Sequence, residues 1–353
     1  MSDTQEIISS VEGSIGRIHL NNPKALNSLS RGMCQSMLDL LLGWRDEDPI
    51  DAVVVTSEGE RAFCAGGDVR QVSTVGQEDP IAARQFFEIE YNLDTVIAEF
   101  PKPYISLIDG IVMGGGLGIS VNGSHRVIGD NIMAAMPETG IGLLPDVGAT
   151  AFLNACPGRL GLYLGLTGTR LDTADTLYAG LGTHYVPTKN HTNLLNALIS
   201  KNFSGDRFAA IDTIIDDFTS DTVGSGLQEK QADIDRLFAA DDMETIIGTL
   251  QNDGSKLAMD CLSAFDRMSP TSLKVTARQI TENPGVSIRD SLVLEYRLVS
   301  QTLLRHDFYE GIRAALIDKD HDPQWKPATL ADVTSDYIDE HFASLGDQEL
   351  IIN

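Results

Sequence analysis

Basic residues are scarce. Lys and Arg number 26 against 51 Asp and Glu, and the 353-residue chain carries a formal net charge of -25. That excludes broad nucleic-acid binding, which needs a basic footprint, and it disfavours anionic membrane surfaces. It leaves room for an anionic small ligand held by a local basic cluster. Long apolar runs are also missing: none approaches the roughly 20 residues of a membrane helix. The opening "MSDTQEIISSVEG" is polar and acidic. It lacks the basic start and apolar stretch of a secretory signal and the Arg-rich, acid-poor character of a transit peptide, so a cytoplasmic protein is expected. Cysteine is sparse as well. Cys34, Cys64, Cys156 and Cys261 are far apart, with no C-x-x-C and no Cys/His zinc spacing. A reducing compartment and no structural metal are the expectation.

What is present suits a soluble globular chain: 42% hydrophobic and 22% charged residues, at a length that affords a sizeable core. "IGRIHL" (15–20) alternates as a half-buried strand does, and "DAVVVTSEG" (51–59) reads as a strand buried on both faces. "NNPKALNSLS" supplies turn residues and a Ser cap, Met33 to Leu41 has helical spacing, and 81–99 reads as helix. "RAFCAGGDV" (61–69) reads as a glycine-bearing loop, "YISLIDGIVMGGGLGISVNG" (104–123) as strand, Gly-rich turn and helix, and "HRVIGD" as another strand. Strand and helix alternate through the first 190 residues, which predicts α/β architecture with parallel pairings. Beyond about 200, helical patterns dominate. In "SIRDSLVLEYRLVSQTLLR", Ile288, Leu292, Tyr296, Val299 and Leu303 share one face. The expected division is an α/β core over 1–200 and a helical region over 201–353.

Three stretches invite a chemical reading. Gly114, Gly115 and Gly116 follow a strand and precede a helical pattern, where first-turn amides lack partners and a ligand can approach the backbone. No G-K-[ST] follows, so this is not a P-loop. "CAGGD" (64–68) is a second glycine turn. Two such turns can aim two N–H donors at one oxygen, although each alone is also an ordinary tight turn. "MPETGIGLLPDVGAT" (136–150) sets Glu138 and Asp146 among apolar and glycine neighbours. Either could be structural, Glu138 as a charge at a helix or turn start and Asp146 as a Pro-Asp turn residue. The histidines define no Ser-His-Asp order, although Ser120 and His125 are near in sequence. Cys64 reads as a small packed side chain, Asp68 as a helix cap, and Arg61 and Arg70 as exposed residues flanking the loop.

"RAFCAGGDV", "GIVMGGGLGISVNG" and "MPETGIGLLPDVGAT", in that order, resemble the crotonase (enoyl-CoA hydratase/isomerase) superfamily. "LEYRLVSQTLLRHDFYEGIRAALIDKDHDPQWKPA" resembles its 3-hydroxyisobutyryl-CoA hydrolase branch; plain hydratases lack this tail. The resemblance implies a crotonase-like spiral of ββα units with a helical C-terminal extension. It implies an oxyanion hole from the amides of Gly67 and Gly115, and a loop, 62–67, lying along CoA. Ala65, Gly66 and Gly114 then contact substrate. Hydratases carry a glutamate just after the triple glycine; Gly118 stands there instead. Glu138 matches the second hydratase glutamate, and Asp146 takes a place that is usually glycine in hydratases. The hydrolase branch has this pairing, plus a substrate-contacting glutamate that Glu90 matches.

The implied activity is hydrolysis of a short branched 3-hydroxyacyl-CoA thioester, 3-hydroxyisobutyryl-CoA in valine catabolism. Glu138 and Asp146 are the implied catalytic residues, and coenzyme A enters only as part of the substrate, with no cofactor. Glu138 acts as general base or direct nucleophile; Asp146 positions the 3-hydroxyl or shares proton transfer. An enoyl-CoA hydratase/isomerase and a non-catalytic acyl-CoA-binding protein are the alternatives. Many superfamily members form trimers or hexamers, so a homo-oligomer is compatible with the resemblance. Arg61 and Arg70 are candidates for CoA phosphates, and Trp325 and Phe308 are assigned to the core.

Overall fold

The computed structural model describes residues 5–47, 49–222 and 224–352. Residues 1–4 of the opening acidic segment lie outside them. Packing divides the chain into two compact units, each assembled from separated segments: 1–67, 92–134 and 170–228 form the first, and 68–91, 135–169 and 229–353 the second. This differs from a single cut near residue 200.

The first unit is built on a six-stranded sheet. β1 (Ile7–Glu12) and β2 (Ile15–Leu20) pair antiparallel, and β2 continues parallel to β3 (Ala52–Ser57). β3 pairs parallel with β5 (Tyr104–Ile108), β5 with β7 (His125–Ile128), and β7 with β9 (His184–Tyr185). A second, three-stranded sheet has the order β4 (Ala62–Cys64), β6 (Ile111–Met113), β8 (Met133–Ala135). The two sheets interleave along the chain: β3, β5 and β7 each enter the large sheet, and the strand following each enters the small one. The α/β class and repeated ββα organisation are therefore those expected. The segment "RAFC" is not all loop, because Ala62–Cys64 pairs with β6, and the strand–turn–helix stretch likewise holds β6 as an extra short strand.

The expected buried strand at β3 has Ala52 to Val55 fully enclosed. One cluster joins Val54, Ile105, Leu107 and Val127 of the large sheet to Leu194 and Leu198 of the helix His191–Ser200 and Ile211, Ile214 and Ile215 of the helix Arg207–Asp216. The helix Arg207–Asp216 thus serves the α/β body, because its apolar face covers the sheet. Ser30 caps the helix Arg31–Arg45 as expected, accepting from the Met33 amide. At its other end the buried Lys102 ammonium donates at 2.7 Å to the carbonyl of Trp44, in the helix's last turn, and at 2.7 Å to that of Glu47 just beyond it.

The second unit is helical. Every residue of Leu160–Thr167 is buried, which is why its sequence, "LGLYLGLT", has no polar face. The helices Ile288–Thr302 and His306–Ile312 carry the signature tail, and the helix Pro270–Thr281 precedes it. In Ile288–Thr302, Leu292, Tyr296 and Val299 are buried on the expected face, with Leu303 just beyond. Phe308 is fully buried, and Trp325, also expected in the core, is partly buried. No helix among the described residues is long and apolar enough to cross a membrane.

Gly116 has a steric reason to be glycine. A Cβ there would lie 2.3 Å from the carbonyl oxygen of Cys64, where β4 meets the helix Gly115–Val121. Gly43, on Arg31–Arg45, faces open space. Gly116→Ala is expected to destabilise by about 1–3 kcal/mol through overpacking. Gly43→Ala should stabilise by about 0.5–1 kcal/mol through lost chain entropy, and urea unfolding of both variants measures the contrast.

Candidate active site

In the first unit the glycine turns follow the ends of β4 and β6. The Ala65 amide donates to the Leu26 carbonyl, and Gly66 accepts from the Leu29 amide, so the loop is laid along 26–29. Asn27, fully buried, fastens that segment by donating to the carbonyls of Glu58 and Ala62. Gly66 (φ 109°) reaches beside the second turn: a Cβ on it would lie 3.8 Å from the Gly115 nitrogen. Gly114 (φ 48°) precedes the helix Gly115–Val121, so Gly115 presents a first-turn amide. Neither the Gly67 nor the Gly115 amide has a hydrogen-bond partner among the described residues. Gly115 is buried, and buried amides are seldom unpaired. These are two available donors on adjacent loops. Cys64 is buried, Arg61 and Arg70 are exposed, and Asp68 caps the helix Val69–Glu78, all as read from the sequence.

In the second unit the acidic residues converge. Glu138 opens a one-turn 3-10 helix, Glu138–Ile141. The signature tail braces this turn through backbone contacts: a Cβ on Gly142 would meet the Asp307 carbonyl oxygen at 2.1 Å, and one on Gly311 would meet the Ile141 carbonyl at 2.3 Å. Asp146 lies in the following loop and accepts the Tyr91 hydroxyl at 2.6 Å. Glu90 precedes Tyr91 on the helix Pro80–Ala98 and is buried because it shares the stripe of Ala83, Phe86 and Phe87.

Glu90, Glu138 and Asp146 are at most 5% exposed. Burial first, then Asp146 and more weakly Glu90, holds the Glu138 carboxyl well above the ordinary carboxylate range. Burial and then Asp146 do the same to Glu90. Asp146 is raised by burial and held back by the Tyr91 hydroxyl and its own backbone amide. Glu138 Oε2 and Glu90 Oε1 have no hydrogen-bond partner among the described residues. Carboxyls raised above their ordinary range that keep oxygens unpaired are suited to accept or deliver a proton.

A fourth carboxylate, Glu295, was not singled out in the sequence. It is fully buried and takes four donors: the amides of Gly148 and Thr150 and the Thr150 hydroxyl, each at 2.7 Å, and the Ser291 hydroxyl at 2.9 Å. Burial pushes it up to about 7, against the pull of Thr150 and Gly148. Its place between Leu292 and Val299 on the apolar stripe was the available signal. Tyr91 was likewise missed. His125 bonds Ser124 and Asp212, while the Ser120 hydroxyl donates to the Gly116 carbonyl, so these residues form no nucleophilic triad. No group of three or more His, Cys, Asp or Glu among the described residues could hold a metal ion.

A family model described as enoyl-CoA hydratase/isomerase matches residues 15–342. The chain belongs to that family. Among curated members, the zebrafish (Danio rerio) protein named 3-hydroxyisobutyryl-CoA hydrolase, mitochondrial, is 41% identical over 98% of this chain and 91% of its own length. The human protein of the same name is 40% identical over 98% and 90%. Among solved members, a carnitinyl-CoA dehydratase from Mycobacterium thermoresistibile superposes with TM-score 0.93 at 37% identity, covering 99% of both chains. An enoyl-CoA hydratase from Rhodobacter sphaeroides gives 0.91 at 36%, covering 98% and 100%. The expected cytoplasmic location is corrected here: the curated relatives are named mitochondrial. A compartment address plays no part in packing a folded chain, so the composition of the first 13 residues was no test of it.

The raised Glu90 carboxyl ties stability to pH. Its unfolded value lies near the ordinary ~4.3, so the folded state holds a proton that the unfolded state has released. Its contribution is therefore fully present below that unfolded value and lost as pH rises through the folded one. Glu90→Gln cannot lose it. As pH rises above the unfolded value the variant should gain stability relative to the parent, read from paired urea unfolding curves at pH 5 and pH 8.

Proposed function

We propose that the chain hydrolyses 3-hydroxyisobutyryl-CoA to 3-hydroxyisobutyrate and free CoA, a step of valine breakdown. Coenzyme A enters as part of the substrate. The observation that carries this reading is 41% identity across 98% of the chain to a relative named for that activity. Asp146 and Gly118, which depart from the hydratase pattern in the resemblance described above, support it.

In this reading the thioester carbonyl oxygen accepts from the amides of Gly67 and Gly115 as it becomes an oxyanion, each donor worth ~3 kcal/mol in the transition state. Ala65, Gly66 and Gly114 shape the backbone against the acyl-CoA. Glu138 in its ionised form takes a proton from water as the oxygen attacks the carbonyl carbon. The C–S bond then breaks, CoA leaves as a thiolate, and the proton on Glu138 returns to the sulfur. Direct attack by Glu138, giving a mixed anhydride that water then opens, uses the same residues. A raised Glu138 carboxyl makes a stronger base than an ordinary glutamate. Asp146, oriented by Tyr91, accepts the substrate's 3-hydroxyl or shares the proton with Glu138, and Glu90 contacts the acyl group.

A second reading, hydration or dehydration of an enoyl-CoA, is favoured by the names of the two solved neighbours. It lacks its second carboxylate at Gly118. Thiol release across a panel of 3-hydroxyisobutyryl-, 3-hydroxypropionyl- and crotonyl-CoA separates the readings, since hydration of crotonyl-CoA consumes enoyl absorbance without releasing thiol. Glu138→Gln is expected to lower thiol release at least ~100-fold. In the parent, kcat/KM should rise with pH through a limb above 4.5, the ordinary value for glutamate, because the base must be ionised. A Glu138→Gln variant as fast as the parent overturns the mechanism.

A further inference from the structure

We propose that Glu295 is a positioning residue that fixes Asp146 for the reaction by clamping the backbone of the turn that follows it. The inference rests on the reading of Asp146 as a residue that touches substrate. The turn Pro145–Asp146–Val147–Gly148 has an unfavourable backbone: Val147 has φ 56° and Gly148 φ 92°. A β-branched residue in the left-handed region is an outlier that persists only where its surroundings hold it. Those surroundings come from two helices. Glu295 Oε2 accepts from the Gly148 amide, and Oε1 accepts from the Thr150 amide and hydroxyl. Gln279 Nε2 donates to the Pro145 carbonyl at 2.7 Å and to the Thr150 hydroxyl at 2.8 Å. Asp146 is therefore gripped on both sides, at residue 145 and at residues 148 and 150, while its own Oδ2 takes the Tyr91 hydroxyl.

The clamp needs a carboxylate. Gly148 caps the helix Ala149–Asn154 without a side chain of its own, and Glu295 supplies the missing acceptors from another helix. All four of its partners donate, so a glutamine there must turn an NH2 group toward a donor and lose at least one bond. The turn is then free to leave the left-handed conformation, and Asp146 loses its aim.

The test is a double-mutant cycle on thiol release from 3-hydroxyisobutyryl-CoA, using the parent, Glu295→Gln, Asp146→Asn and the double variant, with each Tm recorded. Glu295→Gln should lower kcat about tenfold or more in the parent background and less than about twofold beside Asp146→Asn, with KM nearly unchanged. A loss of equal factor in both backgrounds, or a Glu295→Gln kcat equal to the parent's, overturns the positioning role while leaving the proposed hydrolysis standing. If Glu295→Gln does not fold, Gln279→Met, which removes the grip on Pro145, is run through the same cycle and judged by the same outcomes. A parent that releases no thiol, or an Asp146→Asn as fast as the parent, instead overturns the functional reading and the positioning role with it.

Discussion

An ionised carboxylate taken out of water loses solvation worth several kcal/mol, and only a partner or a proton restores it. Glu90, Glu138, Asp146 and Glu295 are all buried in the helical unit, and none forms an ion pair among the described residues. The four meet the constraint differently. Glu295 is surrounded by donors and serves the backbone. Asp146 has one strong donor, the Tyr91 hydroxyl. Glu138 and Glu90 each keep an oxygen without a partner, and burial and Asp146 raise both carboxyls well above the ordinary range. The degree of satisfaction thus separates a carboxylate that organises structure from those able to do chemistry.

The α/β unit meets a complementary demand, presenting main-chain donors without side chains. Its glycine turns each follow a short strand: Gly67 lies three positions after β4 and Gly115 two after β6. Glycine is used there for different reasons. At Gly66 and Gly114 it permits a backbone path that side chains rarely take, and at Gly116 it admits the close approach of Cys64.

The long elements were legible in the sequence because burial imposes a period on them. β2 alternates, β3 is a continuous β-branched run, and Leu292, Tyr296 and Val299 repeat at helical spacing. β4 and β6 were not, since three residues carry no measurable period and their pairing is fixed by the neighbouring strand. The helix Arg207–Asp216 was legible as a helix but not as a cover for the sheet, because an apolar face does not say what it faces. At the site, Glu138 and Asp146 stood out as charges in apolar company. Glu295 met the same criterion, but the helical pattern around it was read only for its apolar members. Tyr91 was masked by Phe86 and Phe87, beside which an aromatic looks like ordinary filling.

The seating of Gly142 against Asp307 and of Gly311 against Ile141 bears on protein engineering. The tail is not an appendage that can be trimmed or diversified for solubility or expression. It forms the floor beneath the one-turn helix bearing Glu138, so a redesigned C-terminus inherits a geometric obligation to that turn. Grafting this carboxylate pair onto a shorter scaffold would require building a substitute floor first.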